Sequence, residues 1–474
     1  MDSGGRLRAV RAAGALLLAL AVAAGALFAL RSPDPSRPHI VLVVWDTCRA
    51  DRLSAYGHAT GTTPWLAGFA GDAVLFREAY SPSPCTPPAH GSLFTGLLPS
   101  RHGLLQGLGD RINPGIPTLA QTLKAAGYET VGFTANNFIS GLTGLDAGFD
   151  RMAPLYLDDR GKGKAGRVLA AVEAWLHERG AAPPERRAKP VFLFVNFMDT
   201  HLPRTPPPED LVAVVGAPAF PPALIRALAV EPRDAAAHMF GIRTLDDETV
   251  AAMATVFDAS ARYLDRSTGL LMDRLRDASI LEDAVVAIVA DHGDHLGEHG
   301  LLSHEMSLYD GVLRVPMVVR WPGRLDGGRV ETAQVRLQDL YPTLLEAARV
   351  PVPPRTGRDA VSLTESPLRS RVLRAEYQRP TAFLPEARLA FEGASPVHFQ
   401  KFHVSIDAVQ DPGGPRGPRK LVRYSRQGGV GPPEPDWFEM FDPVADRGER
   451  RNLLDGAPPE EQVEVERLRG MLGR

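Results

Sequence analysis

The sequence predicts an α/β fold in which a mostly parallel central sheet carries helices on both faces and a smaller C-terminal α+β subdomain follows. Short, continuous apolar runs rich in β-branched residues alternate with helical patterns up to about Pro353. Uninterrupted apolarity is what strands need when helices cover both faces of a sheet. Beyond that point the alternation weakens, and Gly- and Pro-rich segments appear. We therefore expect an N-terminal segment over 1–35, a main domain over 36–353 and a subdomain over 354–474.

Composition supports a globular chain. Of 474 residues, 44% are hydrophobic and 23% are charged, which excludes a mainly disordered chain and a polytopic membrane protein. The net charge is -3, so no bulk electrostatic argument favours nucleic acid, and we expect no nucleic-acid partner. Only two cysteines occur, Cys48 and Cys85, which excludes a disulfide scaffold.

The N-terminus departs from a soluble globule. Three arginines, Arg6, Arg8 and Arg11, precede an uncharged apolar run over 12–30. As a helix, such a run would span roughly 28 Å, enough to cross a bilayer. Its Ala-x-Ala triplets are also typical of a cleaved secretory signal. We expect a membrane anchor with an extracytoplasmic main domain, or alternatively a secreted or periplasmic protein after signal cleavage.

The elements follow one another in the order that an α/β fold requires. The apolar runs predict strands at Ile40–Trp45, Val191–Val195, Ala284–Ala290 and Pro316–Val319. Apolar residues at helical spacing predict helices over Pro117–Ala126, Arg167–Glu178 and Asp247–Asp277. The proline-rich stretch Pro203–Pro222 interrupts the alternation, and we expect it to be an insertion over the sheet edge.

Polar residues follow three of the predicted strands. They are Asp46 after the first, Asn196, Asp199 and His201 after the second, and Asp291 with His292 after the third. The carboxyl ends of parallel strands form the ligand crevice of an open α/β sheet, so these groups could converge. Carboxylates and an imidazole suit one divalent ion, Mg, Ca, Mn or Zn. The alternative is that each Asp only caps a turn or a helix.

A helix with an unusual start is predicted after Cys85. Thr86 can be its N-cap, Pro87 and Pro88 fit the first turn, and Gly96 ends it. Because a helix N-terminus offers free N–H groups, it can hold a tetrahedral oxyanion. His90 would share a face with Thr86. Taken alone, Thr86 could serve only as a cap.

The segment over 291–300 contains the pattern His295-x-x-Glu298-His299, formally an inverted zinc-protease motif. That motif needs a helix, and Gly293, Gly297 and Gly300 oppose one. We therefore expect structural roles in a loop for His295 and His299.

Several short segments occur in one order from Pro38 to Leu453. They are Asp46-Thr-Cys-Arg-Ala-Asp-Arg-Leu-Ser-Ala-Tyr-Gly57, Leu98-Pro-Ser-Arg-His-Gly103, Val256-Phe-Asp-Ala-Ser-Ala-Arg-Tyr-Leu-Asp265, Asp291-His-Gly-Asp-His-Leu-Gly-Glu-His-Gly300, Ser307-Leu-Tyr-Asp310, Val315-Pro316, Trp321-Pro-Gly323, Met440-Phe-Asp-Pro and Arg451-Asn-Leu453. Individually they are weak signals. As an ordered set they resemble the sulfatase family of the alkaline phosphatase superfamily, which implies a sulfatase-like catalytic domain over 36–353.

The nucleophile segment departs from the sulfatase pattern. Formylglycine sulfatases carry Cys-x-Pro-x-Arg, and that frame, begun at Cys85, places Ala89 where Arg belongs. Begun at Thr86, the frame places Pro88 and His90 in register with the Thr-x-Pro-x-His variant of the superfamily. This resemblance implies a Thr nucleophile and shifts the expected chemistry from sulfate esters towards phosphoryl transfer, without excluding sulfate.

The resemblance also implies roles for the individual residues. The divalent metal would be held by Asp46, Thr86, Asp291 and His292. His201 or His304 would protonate the leaving oxygen, and His90 with the helix N-terminus would hold the anion. His304 stands where many relatives have Lys, and the Asn expected near Gly107 is absent. Asp199 would orient His201 or cap a turn.

The implied substrate is an anionic ester of a glycan, a lipid headgroup or a small molecule, and the implied enzyme is a hydrolase or transferase. Two alternatives stay open. One is a formylglycine arylsulfatase that uses Cys85, and the other is an inactive superfamily member that only binds anions.

Overall fold

The computed structural model describes residues 37–106, 109–156, 164–378, 404–426 and 435–472. The expected anchor or signal over 12–30 lies outside these residues. Within the described ranges, no helix has both the length and the apolarity needed to cross a bilayer.

The structure contains seventeen strands among the described residues. They are β1 (Ile40–Trp45), β2 (Val74–Phe76), β3 (Ala79–Tyr80), β4 (Glu129–Thr134), β5 (Arg151–Pro154), β6 (Val191–Phe197), β7 (Val285–Val289), β8 (His295–Leu296), β9 (Leu302–Ser303), β10 (Arg314–Val315), β11 (Met317–Arg320), β12 (Val330–Glu331), β13 (Val335–Arg336), β14 (Leu373–Tyr377), β15 (Val404–Gly414), β16 (Gly417–Arg426) and β17 (Trp437–Phe441).

The α-helices of the described ranges are Pro64–Phe69, Thr86–Thr95, Pro99–His102, Leu119–Ala125, Ala165–Gly180, Pro184–Arg187, Pro208–Val215, Pro222–Leu228, Pro232–Met239, Asp247–Asp277, Asp310–Leu313, Leu340–Ala347 and Pro459–Leu472. Two of them recur below: Thr86–Thr95 is called the Thr86 helix, and Asp247–Asp277 is called the long helix.

The central sheet has eight strands in the order β12-β2-β11-β7-β1-β6-β4-β5. Strands β7, β1, β6, β4 and β5 run parallel, and β11 runs antiparallel to both of its neighbours. β1, β6 and β7 are buried along their whole length, as their continuous apolarity predicts. The predicted mostly parallel α/β fold is confirmed.

Helices cover both faces of this sheet. The indole of Trp45 donates a 2.9 Å hydrogen bond to Thr268 of the long helix. Phe94 of the Thr86 helix packs edge-on against Phe194, with 5.2 Å between the ring centroids. Since Phe194 pairs with Leu42, it projects to the face opposite Trp45. The long helix and the Thr86 helix therefore lie on opposite faces.

The proline-rich insertion is helical and longer than expected. The helices Pro208–Val215, Pro222–Leu228 and Pro232–Met239 each begin on a proline, a position where the missing N–H costs little. Their apolar residues form a separate cluster with the long helix, through residues such as Met253 and Val256.

The C-terminal region forms an antiparallel sheet, β14-β15-β16-β17, with the helix Pro459–Leu472 packed beside it. This confirms the predicted α+β subdomain. One face of the sheet packs against the main domain through Tyr80, Cys85 and Leu308.

Candidate active site

The polar residues that follow the central strands come together at the carboxyl edge of the sheet. Asp46 follows β1, and Asp291 with His292 follow β7, the strand beside it. One ligand atom from each of these three side chains lies within 4.8 Å of the others. All three residues are buried. The convergence that the sequence suggested for them is therefore observed.

This group fits a divalent cation. The Oδ1 atom of Asp291 accepts hydrogen bonds from the backbone N–H groups of Thr47 and His292, whereas its buried Oδ2 accepts none. Burial raises the pKa of Asp291, and the nearby Asp46 carboxylate raises it further. Two buried carboxylates repel each other unless a positive charge lies between them. Oxygen and imidazole donors in this arrangement suit Mg, Ca, Mn or Zn.

The tautomer of His292 is set by its backbone contact. Its Nδ1–H donates to the Gly293 carbonyl at 3.0 Å. Burial lowers the pKa of His292 well below its usual value, so the ring is neutral and its Nε2 atom carries a lone pair. Nε2 lies 3.2 Å from Oγ1 of Thr86 and 3.4 Å from Oδ2 of Asp291. The imidazole therefore presents a ligand atom to the group.

The sequence suggested Thr86 as the N-cap of its helix, but Thr86 is the first helical residue. Cys85, in an extended conformation, occupies the N-cap position without a side-chain capping bond. The Thr86 hydroxyl faces His292 and Asn136 instead of its own backbone. Gly96 ends the helix in the left-handed region, as predicted.

Cys85 points into a different environment from its neighbour. Its thiol is buried in an apolar cluster that includes Tyr80, Leu308 and Tyr377. Burial raises the pKa of this thiol well above its usual value, and Glu305 adds to the effect. Cys48 and Cys85 are both buried and not joined by a disulfide.

Two histidines expected to act as acids lie beside this group. His201 donates from Nδ1 to the Leu202 carbonyl at 2.7 Å, and His304 donates from Nδ1 to the Pro84 carbonyl at 2.8 Å. The His304 ring centroid lies 5.3 Å from that of His201 and 4.4 Å from that of His292. In both rings a backbone carbonyl therefore fixes the position of Nδ1, and Nε2 of His304 lies 3.7 Å from Oε1 of Glu305.

His90 lies behind the group. Its Nδ1 atom donates to the Thr86 carbonyl at 3.1 Å and lies 3.5 Å from Oδ2 of Asp291. The ring meets Phe94 and Phe194 edge-on. Burial lowers the pKa of His90 to about 4, so the imidazole is neutral at pH 7.

Asn136 is a site residue that the sequence reasoning missed. Its Nδ2 atom donates to Oδ2 of Asp46 at 2.8 Å and lies 3.4 Å from Oγ1 of Thr86. Asn196 reaches the same Asp46 oxygen at 3.4 Å. Asn136 follows β4. That strand was not predicted because its Glu, Thr and Gly residues interrupt the apolar pattern. The asparagine pair Asn136-Asn137 after that segment was the available signal.

Other polar residues singled out from the sequence have structural positions. Asp199 accepts a 3.1 Å hydrogen bond from the N–H of Ala165 at the start of a helix, and burial raises its pKa to about 7. Nε2 of His295 bonds to Ser307 at 2.6 Å, and His299 stacks on Tyr309. The segment is not an α-helix, so the rejection of the protease motif is confirmed.

The site lies at the carboxyl edge of a mostly parallel sheet, where a buried Asp-Asp-His group stands beside a helix N-terminus. This arrangement suits metal-assisted hydrolysis of anionic esters. The chain belongs to the sulfatase family, because the family model described as Sulfatase matches residues 38–350. It is accordingly an enzyme, a sulfatase-family hydrolase. Enzymes of this family typically bind a divalent metal, and Asp46, Asp291 and His292 form a group able to hold one.

Relatives share most of the chain at low identity. A Delta 4,5-hexuronate-2-O-sulfatase of Bacteroides thetaiotaomicron is 23% identical, over 88% of this chain and 84% of its own. Human arylsulfatase A is 27% identical, over 71% of this chain and 68% of its own. The crystal structure of a phosphonate monoester hydrolase of Agrobacterium radiobacter superposes with a TM-score of 0.65 at 19% identity, covering 92% of this chain and 95% of that one.

Proposed function

We propose that the enzyme cleaves an anionic phosphate or sulfate ester through a covalent intermediate on Thr86, with phosphoryl chemistry favoured. The observation that carries this proposal is the different placement of two adjacent residues. The Thr86 hydroxyl lies 3.2 Å from His292 within the Asp-Asp-His group, whereas the Cys85 thiol is buried among apolar side chains. This supports the Thr-x-Pro-x-His reading of the nucleophile segment.

A threonine hydroxyl needs activation near neutral pH. Asp46, Asp291, His292 and Thr86 itself would hold one divalent cation, which lowers the pKa of the hydroxyl and neutralises charge on the ester. The first turn of the Thr86 helix offers few N–H donors, because Pro87 and Pro88 carry none and the N–H of Ala89 bonds to the Cys85 carbonyl at 3.1 Å. Its contribution to stabilising a developing anion is therefore the positive end of the helix dipole. His90 holds the Thr86 carbonyl and faces Asp291, so we assign it the positioning of both residues instead of direct contact with the anion.

The reaction then proceeds in two displacements. Thr86 gives up its hydroxyl proton to solvent, Oγ1 attacks the phosphorus or sulfur atom, and the bond to the leaving oxygen breaks. His201 or His304, in its imidazolium form, donates the Nε2 proton to that oxygen and becomes neutral. Both rings are held for this role by their Nδ1 contacts to backbone carbonyls. Water, or an alcohol in a transferase, then gives a proton to the neutral histidine and attacks the phosphorus or sulfur atom. The bond to Oγ1 breaks, and Thr86 takes up a proton from solvent to regenerate its hydroxyl.

The relatives favour a sulfate ester as a second candidate substrate for the same site. One relative is named a hexuronate 2-O-sulfatase, and a protein of similar structure is named a phosphonate monoester hydrolase. A glycan ester is therefore a candidate, alongside lipid headgroups and small molecules. We assign catalysis to residues 36–353 and propose that the enzyme works outside the cytoplasm, in secreted or periplasmic form.

The test compares Thr86→Ala and Thr86→Ser with Cys85→Ala as the matched neighbour. Each protein is assayed on aryl phosphate monoester, aryl phosphate diester and aryl sulfate, after chelation and resupply of Mn, Mg, Ca or Zn. We expect Thr86→Ala to lose activity by at least about 10³-fold, in line with loss of a nucleophile. Cys85→Ala should retain activity, and chelation should abolish it.

Mass spectrometry of quenched wild-type reactions should show phosphate or sulfate on the peptide that contains Thr86. Activity that survives Thr86→Ala but disappears in Cys85→Ala, together with an aldehyde at residue 85, would establish the formylglycine alternative. Metal binding without turnover of any of the three esters would instead support an inactive, anion-binding member.

A further inference from the structure

A basic surface lies beyond the C-terminal end of the Thr86 helix. Two adjoining grooves of about 580 and 400 Å³ open there and share Arg101. The charged side chains that line them are Arg101, Arg336, Arg355, Arg358, Arg374 and Asp359. Five arginines against one carboxylate are a strong local excess of positive charge in a chain whose net charge is -3. We call these residues the arginine surface.

Much of this positive charge is not used by the fold. Asp359 shares its carboxylate between Arg101, at 3.4 Å, and the N–H of Leu98, at 3.0 Å. Arg358 reaches only the Pro354 carbonyl, at 3.3 Å. Among the described residues, neither Arg355 nor Arg374 has a side-chain hydrogen bond or an ion pair. Their guanidinium groups therefore keep donors for a ligand.

The arginine surface is separate from the catalytic group. Thr86 begins its helix of 10 residues and Arg101 follows the other end, so the helix alone separates the two by roughly 15 Å. A single small ester cannot contact both Thr86 and the arginine surface. Because the arginines occupy two grooves, a matching ligand carries several negative groups along its length.

We propose that the arginine surface binds a polyanionic glycan, a carbohydrate chain with repeated sulfate or phosphate groups. The planar guanidinium fork matches such oxyanions in bidentate fashion. Pro114 and Ile116 line the same groove as Arg101, Arg355 and Arg358, and their accessible surface offers apolar contact to sugar rings. The described lining residues include no aromatic side chain on which nucleic-acid bases could stack. This binding requires neither Thr86 nor a metal ion.

The experiment uses the full chain with a chelator present, so that turnover is suppressed. Binding of a fluorescently labelled dextran sulfate oligosaccharide is measured by anisotropy at two salt concentrations, with neutral dextran as the uncharged control. We expect binding that weakens with salt. The double variant Arg355→Ala/Arg374→Ala should bind at least about tenfold more weakly, since a hydrogen bond to a charged group contributes at least that much.

Arg243→Ala is the matched control, because Arg243 is 68% exposed and lies on the helical insertion; it should bind like the wild type. With metal restored, the double variant should cleave the small aryl ester at the wild-type rate. Its thermal unfolding midpoint verifies that it folds, and Arg355→Gln/Arg374→Gln replaces it if it does not. Equal affinity of the folded double variant would overturn the proposal, as would tighter binding of single-stranded DNA or anionic vesicles than of dextran sulfate.

Discussion

Asn136 contributes to the site through its neighbours. It donates to the Asp46 carboxylate at 2.8 Å, and its own Oδ1 accepts from the N–H of Phe138 at 2.9 Å. These two bonds fix the Asn136 amide. The amide in turn holds Oδ2 of Asp46, which leaves Oδ1 of Asp46 available for a cation. Groups that orient a metal ligand in this way usually affect both metal affinity and rate.

Asn136→Ala should therefore weaken metal binding and lower kcat, each by about 10–100-fold. The measurements are metal titration by calorimetry and steady-state kinetics at saturating metal. Asn137→Ala is the matched control, because Asn137 is the adjacent amide and is exposed. If both variants behaved like the wild type, Asn136 would have no orienting role.

The individual residues show what a sequence can and cannot predict. Asp46, Asp291 and His292 each follow a continuous apolar strand, so their place at the sheet edge follows from strand polarity alone. The position of Asn136 depends on β4 pairing with β6, a tertiary fact with no signal in its mixed composition. The N-cap error at Thr86 arose because capping propensity ignores a better partner for the hydroxyl, His292.

Among the elements, the Thr86 helix depends on close contact with the segment that follows it. The imidazole of His102 donates from Nε2 to the Pro88 carbonyl at 3.2 Å and accepts from the N–H of Leu104 at 3.1 Å. Gly91 lies under this ring, and a Cβ atom there would be 2.5 Å from Cε1 of His102. The glycine thus lets the ring fix the first turn of the helix, next to Thr86.

Gly91→Ala should lower the free energy of unfolding by about 1–3 kcal/mol, the cost of overpacking a filled interior. It should also reduce kcat, because the displaced ring moves the helix start. Gly68→Ala is the control, since that helical glycine has nothing within 4 Å of an added Cβ; it should be neutral or stabilising by up to about 1 kcal/mol. Urea unfolding and kinetics measure both effects. Equal stability of the two variants would contradict the packing argument.

The prediction of elements succeeded where the pattern is local. The strand Ile40–Trp45 and the long helix have the predicted bounds, because both carry an uninterrupted pattern. The insertion was predicted over Pro203–Pro222 without internal elements, whereas it contains three helices that extend to Met239, each with a proline at its start.

A buried charged cluster joins the C-terminal sheet to the helix Asp310–Leu313. Nζ of Lys420, on β16, lies 2.9 Å from Asp310 and 2.7 Å from Glu449. One ammonium group faces two carboxylates without solvent. Burial, with the Asp310 charge adding to it, raises the pKa of Glu449 to about 7 despite the nearby lysine. A proton on Glu449 therefore balances the cluster over part of the pH range.

This raised pKa predicts a pH dependence of stability. The folded state holds the Glu449 proton more tightly than the unfolded chain, whose pKa is near 4.5. The stabilisation is therefore complete below about pH 4.5 and is lost as the pH rises through about 7. Glu449→Gln should remove this component, so the unfolding free energy of the variant should fall less than that of the wild type between these pH values.

Chemical unfolding at a series of pH values measures the difference. Glu248→Gln, at a position where the side chain is 83% exposed, should follow the wild-type curve. A gap between Glu449→Gln and wild type that stays constant with pH would show that Glu449 has the same pKa in both states.

The wide separation of the site residues along the chain affects how the enzyme is made. Thr86 and His292 are 206 positions apart in the sequence. The cation pocket therefore cannot form until the distant strands β1, β6 and β7 have paired. Such non-local closure is slow compared with helix formation. During refolding we expect ellipticity to return first and tight cation uptake last. Cation uptake thus reports that the central sheet is complete, and partly folded intermediates have no activity.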